Sequence, residues 1–167
     1  VKYKLPIKWV VEPVTGTPRD NEEYRKSIVA IVENPKDGKL VSINWGKMGG
    51  NLFIGGGVEK DEDIIKTAIR EIKEETGYKN LEFISQTETI HHHYFAHSKG
   101  VARNIDAIGL YFRLKDTEKV KPKLEDNEKG KFTVEWIEKS SALDKVKDEL
   151  HQQVFKRLVL GQAYTDY

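Results

Sequence analysis

The 167-residue sequence has no cysteine and only one methionine. The lack of cysteine excludes disulfide bonds and thiolate-ligated metal sites, and it suits a reducing compartment, so we expect a cytoplasmic protein. No apolar run approaches the roughly 20 residues that a membrane-spanning helix needs, and no signal-peptide pattern opens the chain. An excess of charge is also missing, because 28 Lys and Arg residues face 27 Asp and Glu residues. A bulk polyanion-binding surface is therefore not indicated, although a local basic patch is compatible with this composition.

The length fits one domain, and the hydrophobic pattern predicts a mixture of strands and helices. Residues 15–23 form a polar stretch that we interpret as a loop or linker, and residues 115–129 form a charged loop. Residues 34–38 carry a turn signal between the first two strand-like runs. The strand-like runs are residues 26–32, 40–45, 81–85, 88–95, 104–114 and 131–137.

Two helices are predicted among these strands. Residues 61–76 repeat apolar side chains at i, i+3 and i+4, with Asp61 as the expected N-cap, acids at Glu62 and Asp63 in the first turn, and Gly77 as the stop. A closing helix over residues 141–160 carries an apolar face of Leu143, Val146, Leu150, Val154 and Leu158. Strands around two helices indicate an α+β or α/β sandwich with a mixed sheet.

The first helix carries a stripe of carboxylates. Glu71, Glu74 and Glu75 stand at i, i+3 and i+4, so they share an arc of roughly 100° and repel one another. Such a stripe is either screened by solvent, which is the common case, or binds a cation. Hard divalent ions such as Mg²⁺ take carboxylate and phosphate oxygens as ligands. Upstream, residues 55–57 are all glycine, which allows the backbone to approach a ligand closely.

The wider spacing decides between these alternatives. Gly56 is followed after five residues by Glu62, and after seven more by the series from Arg70 to Tyr78. This arrangement resembles the Nudix box, and seven fixed residues would match by chance about once in a billion start positions. Tyr78 and Ile54 depart from the commoner aliphatic residue and proline without affecting the chemistry. The resemblance extends loosely over residues 23–160 and implies a Nudix-type α/β/α sandwich with a central mixed sheet.

The resemblance also implies a reaction. Nudix hydrolases use Mg²⁺, with Mn²⁺ as a possible substitute, to cleave the diphosphate bond of a nucleoside diphosphate linked to another moiety. Water attacks a phosphorus atom. Carried onto this sequence, Glu74 and Glu75 are the principal metal ligands, and Glu71 is a further ligand or the general base. Arg70 positions Glu71 for this role.

The remaining motif residues have supporting roles in this interpretation. Glu62 is expected to pair with Arg70, and Gly56 and Gly77 are structural. Glu59 stands where family members often add a carboxylate to the site. A base or extra ligand can also come from the charged loop, where the sequence does not distinguish among three acids, each of which could equally be solvated: Glu125, Asp126 and Glu128.

Several residues outside the motif are candidates for substrate contact, and each also has an ordinary structural role. Strand alternation would place His91 and His93 on one face and His92 on the other, so we expect no metal site from the three, although one could contact substrate. The aromatic candidates for stacking a base are Tyr24, Tyr94 and Phe95, and the basic candidates for steering a diphosphate are Lys99 and Arg103 in an expected loop. Core packing and solvated surface are the commoner roles for such residues. Trp136 is predicted to pack in the core.

The two ends do not follow the Nudix pattern. Residues 2–11 look like a segment of the editing domain of bacterial leucyl-tRNA synthetase, and residues 163–167 are similar to a segment shortly downstream in that enzyme. We therefore expect flanking segments at 1–14 and 163–167 around a Nudix domain at 15–162, and we interpret the chain, which begins at Val1, as an excised insert. The rival hypothesis is a non-catalytic Nudix-fold insert with a structural or tRNA-contacting role in the synthetase.

Overall fold

A computed structural model describes residues 14–126 and 128–162. Three α-helices are present: α1 (Ile64–Thr76), α2 (Ala142–Lys145) and α3 (Glu149–Leu158). No helix within the described residues is long and apolar enough to cross a membrane. The strands are β1 (Val14–Gly16), β2 (Glu23–Glu33), β3 (Leu40–Asn44), β4 (Asn51–Leu52), β5 (Ile54–Gly57), β6 (Leu81–Ala96), β7 (Val101–Leu114) and β8 (Thr133–Ile137).

The eight strands form one mixed sheet in the order β1-β6-β7-β2-β3-β4, with β5 paired to β2 and β8 paired to β3. At its centre β2 and β7 run parallel, while β6 and β7 form a long antiparallel hairpin. The pairing of β5 with β2 sets Gly56 opposite Ile28 and Gly57 opposite Ser27. This pairing brings the glycine run to the middle of the sheet, next to the start of α1.

Each face of the sheet carries its own hydrophobic cluster. Side chains alternate along β2, so Ile28 and Ala30 face α1 while Val29 and Ile31 face α3. On the α1 side the cluster includes Ile72 and Phe112, and on the α3 side it includes residues such as Val154 and Phe155. The sheet therefore lies between two helical layers. This arrangement confirms the predicted α/β/α sandwich with a central mixed sheet.

The start of α1 differs from the sequence prediction. Asp63, not Asp61, is the N-cap: its Oδ1 accepts the backbone N–H groups of Ile65 and Lys66 at 2.9 and 3.1 Å. Asp61 sits in the preceding turn with φ 62°, a left-handed conformation that short polar side chains tolerate. The expected acids of the first turn therefore precede the helix. The predicted stop is confirmed, because Gly77 adopts φ 84° and donates its N–H to the Lys73 carbonyl.

The closing helix is broken into two segments. A 3₁₀ turn at Lys139–Ser141 leads into α2, and the chain then becomes extended at Val146 before α3 begins. Asp148 starts the new helix because its side chain accepts the His151 N–H at 3.0 Å. Val146 is nonetheless buried with Leu150 and Val154. The apolar spacing predicted the buried face correctly but not the interruption.

Several strand boundaries also differ. The two runs predicted at 81–85 and 88–95 are one strand, β6, whose register against β7 shifts between Phe83 and Ser85 and between Gln86 and Thr89. Such bulges leave residues unpaired without ending a strand. β7 begins at Val101, so Arg103 lies on a strand and not in a loop. Part of the expected 15–23 loop belongs to β1, which pairs with β6. The segments 2–11 and 163–167 lie outside the described residues.

Candidate active site

The acidic stripe of α1 meets the glycines of β5. Gly56 makes this approach possible, because a Cβ atom there would lie 2.4 Å from Cδ of Glu71. Gly57 plays the same part for Arg25, whose Nη2 would lie 1.2 Å from an added Cβ. Neither glycine has a positive φ, so close approach rather than backbone conformation requires them. The glycine run therefore brings a carboxylate and a guanidinium against the same stretch of backbone.

Arg70 ties the acids together. Its Nε and Nη2 donate to the two oxygens of Glu62 at 3.2 and 3.0 Å, and Nη1 donates to Glu71 at 2.8 Å and to Glu74 at 3.4 Å. Thr67 Oγ1 also donates to Glu62, and these two partners, Arg70 first, lower the pKa of Glu62. Arg70 is in turn held in its charged form, with a raised pKa, chiefly by Glu62. The fork geometry orients Glu71 and Glu74.

Glu71 and Glu75 carry more negative charge than their surroundings compensate. The pKa of Glu75 is raised well above its ordinary value, first by burial and then by repulsion from Glu71, Glu128 and Glu74. Burial also raises the pKa of Glu71, and Arg70 offsets this only in part. Carboxylates in such a setting are stabilised by a nearby cation. The donor set, all oxygen, fits a hard divalent ion such as Mg²⁺.

The described residues do not form a finished coordination sphere. No three of their His, Asp or Glu side chains converge closely enough to hold an ion by themselves. The acids are a neighbouring set on α1 and in the charged loop between β7 and β8, and they repel one another. Mg²⁺ commonly retains several waters and uses one or two carboxylates together with substrate phosphates. An incomplete set of carboxylate ligands is consistent with this mode of Mg²⁺ coordination.

The structure separates the three acids of the charged loop. Glu128 is half-buried, repels Glu71 and Glu75, and lines the cleft beside the glycine run. Asp126 instead points to solvent and pairs with Lys129 at 3.1 Å. Glu125 is exposed and lies farther out along the same cleft. Only Glu128 of the three comes next to the α1 acids.

The segment between β5 and α1 carries Glu59. It is exposed in the turn before α1, where its backbone carbonyl accepts the Glu62 N–H at 3.0 Å. The side chain does not line the cleft next to the glycine run. Its assignment as a metal ligand remains a prediction.

A cavity of about 370 Å³ opens next to Glu75 and Glu128. We call it the inner chamber. One end is formed by Glu75, Glu128 and the glycine run, with Arg25 beside them. The other end reaches the core of the α3 layer through a set of buried and half-buried side chains: Val29, His92, Ile105, Asp148, Leu150 and His151. The chamber therefore joins an end lined by several charged groups to an end that combines two histidine rings with the single carboxylate of Asp148.

The far end of the inner chamber is built around two buried histidines. His151 Nδ1 accepts the Phe53 N–H at 3.0 Å, so the neutral ring carries its proton on Nε2. His92 Nδ1 is bonded to Thr15 Oγ1 at 2.7 Å, and its Nε2 lies 4.0 Å from Asp148 Oδ2. Burial lowers the pKa of both histidines. Both rings are therefore neutral near pH 7 and present hydrogen-bonding atoms rather than charge.

The histidine run divides between the two faces of the sheet, as strand alternation predicts. His92 faces the inner chamber, whereas His91 pairs with Asp106 and His93 pairs with Glu22 on the other face. Tyr24 also lies on that other face, where its hydroxyl donates to Asp106 at 2.6 Å. Of the proposed contacts on this strand, His92 is thus the histidine that the fold places at the cleft.

The remaining candidates divide in the same way. Tyr94 lines the inner chamber, and Phe95, Lys99 and Arg103 line the outer part of the cleft. Trp136 packs edge-on against Tyr78 with ring centroids 5.7 Å apart, which confirms its core role.

Some lining residues were not predicted from the sequence: Arg25, Trp45, Leu52, Asp148 and His151. Arg25 is hidden in an alternating strand and Trp45 follows the end of β3, so neither has a local signature. For Asp148 a signal was available. An aspartate three residues before a helical N–H is typical of an N-cap, which would have indicated the break before α3.

A family model described as NUDIX domain matches residues 23–158, which is most of the chain. This chain belongs to the Nudix family. The match includes every acid discussed for the site. A search of curated proteins finds no match.

Solved structures agree with this assignment at the level of the fold. The Nudix domain is similar to the E. coli dihydroneopterin triphosphate pyrophosphohydrolase, at 17% identity and a TM-score of 0.61 over 84% of this chain and 100% of that one. A MutT protein from Methanosarcina mazei Go1 matches at 17% identity and a TM-score of 0.59, covering 82% and 94%. The C. elegans Ap4A hydrolase matches at 18% identity and a TM-score of 0.56, covering 84% and 100%.

Proposed function

We propose that this Nudix domain is a Mg²⁺-dependent pyrophosphohydrolase that cleaves the diphosphate bond of a nucleoside diphosphate linked to another moiety. The observation that carries the proposal is the group of repelling, partly buried carboxylates at Glu71, Glu75 and Glu128 beside a glycine run. Carboxylates whose pKa values are raised by burial and by repulsion from one another are typical of functional sites in a cleft. Hydrolases among the structural neighbours share this fold.

The metal is assigned to the acids of α1. Glu74 and Glu75 are the proposed principal ligands for Mg²⁺, with Mn²⁺ as a substitute, and Glu71 and Glu59 are proposed as additional ligands. A bound divalent cation neutralises phosphate charge and makes nearby water more acidic. Arg70 is a positioning residue, because its guanidinium holds Glu71 and Glu74.

Hydrolysis requires a new bond from water oxygen to phosphorus and loss of the bridging P–O bond. The departing phosphate oxygen takes the electron pair, and the water proton passes to a carboxylate. Two groups can accept it: Glu71, as the family resemblance implies, and Glu128, which faces the same acids from the charged loop. The variants Glu71→Gln and Glu128→Gln distinguish the two groups. We expect only the variant that lacks the base to lose the acidic limb of the pH profile of kcat.

The inner chamber is the proposed site for the nucleoside. Its charged end, with Arg25, suits phosphates, and its far end offers the Nε2 proton of His151 and the free oxygen of Asp148. Neutral donors and one acceptor in a buried pocket are typical of groups that orient a heterocycle. Arg25 is proposed to contact a phosphate oxygen because its guanidinium lies against Gly57.

The experiment is a panel assay of nucleoside diphosphate derivatives with Mg²⁺ and Mn²⁺, measuring release of phosphate or nucleotide. We expect turnover that chelation abolishes, and a decrease of at least about a hundredfold in kcat for Glu74→Gln. Glu82→Gln, at an exposed position on β6, is the control and should behave as the parent. Absence of turnover across the panel with both metals would disprove the proposal.

The cellular setting is a separate proposal. Insertion of this domain into a leucyl-tRNA synthetase, with tRNA as a possible partner, rests on residues 2–11 and 163–167, while the family match covers 23–158. A cytoplasmic location rests on the cysteine-free composition. The coding sequence on either side of this chain tests the host directly. Flanks without the rest of a synthetase would reject the insertion, and with it the tRNA-contacting role.

A further inference from the structure

The cleft does not end at the acids. Beyond them lies a second cavity of about 390 Å³, which we call the outer chamber. Six residues line both chambers and so form their junction: Arg25, Trp45, Leu52, Tyr94, Ser98 and Glu128. Each cavity falls in the size range that holds one nucleotide-sized ligand. Glu128 lies at the junction of the two compartments, and Glu75 lines the inner one.

The outer chamber is basic in a chain that is almost neutral. Four cationic side chains line it, Arg25, Lys99, Arg103 and Lys131, against the two carboxylates of Glu125 and Glu128. The net charge of the whole chain is +1. Within residues 14–126 and 128–162, none of the four cations forms an ion pair. Their charge is therefore available to an anionic ligand.

Aromatic rings accompany these cations. Trp45 and Tyr94 lie at the junction, and Phe95 and His97 line the outer chamber alone. Phe95 is 37% exposed and packs edge-on against His97 with ring centroids 4.9 Å apart. Exposed aromatic rings next to unpaired cations are the combination that binds a nucleotide, because the rings stack a base and the cations hold phosphates.

We propose that the outer chamber binds the second nucleotide of a dinucleoside polyphosphate, so that the substrate spans both chambers with its phosphate chain passing Glu75 and Glu128. The inference rests on the proposed function. The inner chamber takes one nucleoside and Arg25 contacts the phosphate chain. Lys99, Arg103 and Lys131 hold phosphates beyond the cleaved bond, and the exposed ring of Phe95 stacks the second base. The terminal sugar of ADP-ribose brings neither a further phosphate nor a second base to these contacts.

The test compares three probes: diadenosine 5′,5‴-P1,P4-tetraphosphate, which has a long chain and a second base; ATP, which has a long chain alone; and ADP-ribose, which has neither. We expect dissociation constants to rise in that order. Calorimetric titration in Ca²⁺ measures binding, and kcat/KM in Mg²⁺ measures turnover. Binding and turnover are measured separately, so the two proposals can fail independently. Absence of turnover with all probes would disprove the proposed pyrophosphohydrolase activity, and the order of the dissociation constants would still test the outer chamber.

The first variant is Lys99→Ala/Arg103→Ala/Lys131→Ala. Its control is Lys36→Ala/Lys66→Ala/Lys115→Ala, which removes three exposed lysines away from the cleft. In the cleft variant we expect the dissociation constant of the tetraphosphate to rise by about a hundredfold and that of ATP by a similar factor. The dissociation constant of ADP-ribose should rise by less than about threefold. The control should leave all three within twofold. Equal losses in both variants, or an equal loss for ADP-ribose, would overturn the assignment.

The second variant is Phe95→Ala, with Phe83→Ala as its control because Phe83 is equally exposed, at 38%, on the same strand. We expect Phe95→Ala to raise the dissociation constant only of the tetraphosphate, the probe with a second base, by about tenfold. A loss shared by ATP would contradict base stacking. The tRNA-contacting hypothesis predicts a different outcome: a single-stranded RNA oligonucleotide would bind more tightly than the tetraphosphate and depend on the same three cations, which would also overturn the proposal.

Discussion

The inner chamber has one wall on the α1 side, with Glu75, and one on the α3 side, with His151. The two walls differ in how their buried polar groups are stabilised. On the α1 wall, burial and mutual repulsion raise the pKa values of Glu75 and of its neighbour Glu71, and Arg70 offsets this only at Glu71. On the α3 wall, His92 and His151 are buried as neutral rings whose Nδ1 atoms are already hydrogen-bonded. The first wall is incomplete without a ligand, whereas the second is satisfied by the fold. We infer that the first performs chemistry and the second orients the substrate.

The largest expected effect comes from Gly56→Ala, which breaks the α1 wall while leaving its acids in the sequence. The added Cβ would clash with the Glu71 carboxylate and displace it, so we expect kcat to fall by about a hundredfold. Steady-state kinetics in Mg²⁺ measures this. Gly55→Ala is the matched control, since its Cβ would lie 3.8 Å from the Ile28 carbonyl oxygen, an ordinary contact. Similar losses in the two variants would show that the strand, and not Glu71, is disturbed.

A smaller loss is expected for Arg70→Lys. A lysine keeps the charge but not the fork that bonds Glu62, Glu71 and Glu74 together, so we expect kcat to decrease by about tenfold. Raising the Mg²⁺ concentration should recover part of the loss, which a purely structural role would not allow. Arg113→Lys, at an ion pair with Glu33 outside the cleft, serves as the control. An unchanged kcat and Mg²⁺ dependence would contradict a positioning role.

The α3 wall should respond in KM rather than in kcat. Asp148→Asn retains the N-cap, because asparagine caps as well as aspartate, but it removes the charge that faces the inner chamber. We expect KM for the best substrate of the panel to rise by about fivefold, with kcat within twofold. Asp63→Asn makes the same change at the N-cap of α1, outside both chambers. A fall in kcat for Asp148→Asn would contradict the inference that the α3 wall only orients the substrate.

The smallest effect concerns stability. Burial lowers the pKa of His151 below its ordinary value of 6.5, so the unfolded chain binds more protons than the folded one at mildly acidic pH. The stability contributed by the neutral ring is complete above pH 6.5 and is lost as pH falls below it. Urea unfolding at pH 7.5 and 5.5 should therefore show a smaller loss for His151→Asn, which can still accept the Phe53 N–H, than for the parent. His97→Asn, at an exposed ring, should leave the difference unchanged.

Much of the fold was accessible from the sequence because it depends on local patterns. The apolar run at 26–32 predicted the strand that became β2, the i, i+3, i+4 spacing identified the buried face of α1, and Gly77 was correctly predicted to end the helix. The errors lie where local signals compete. Asp61 and Asp63 are both acceptable caps, and the geometry of the preceding turn chose the second. Val146 is buried although the helix is interrupted there, so the apolar spacing gave no sign of the break.

The sequence by itself determined the family, and with it the reaction that we propose, because Gly56, Arg70 and the glutamates lie at a fixed spacing in one segment that includes a single helix. Only the tertiary structure decided what surrounds them. It selected Glu128 from three acids in one loop, and it brought Arg25 and His151 from distant segments to the same cavity. The physical reason is separation along the chain. Groups on one helix are related by a fixed period, whereas groups on β2, the charged loop and α3 meet only through the packing of the sheet.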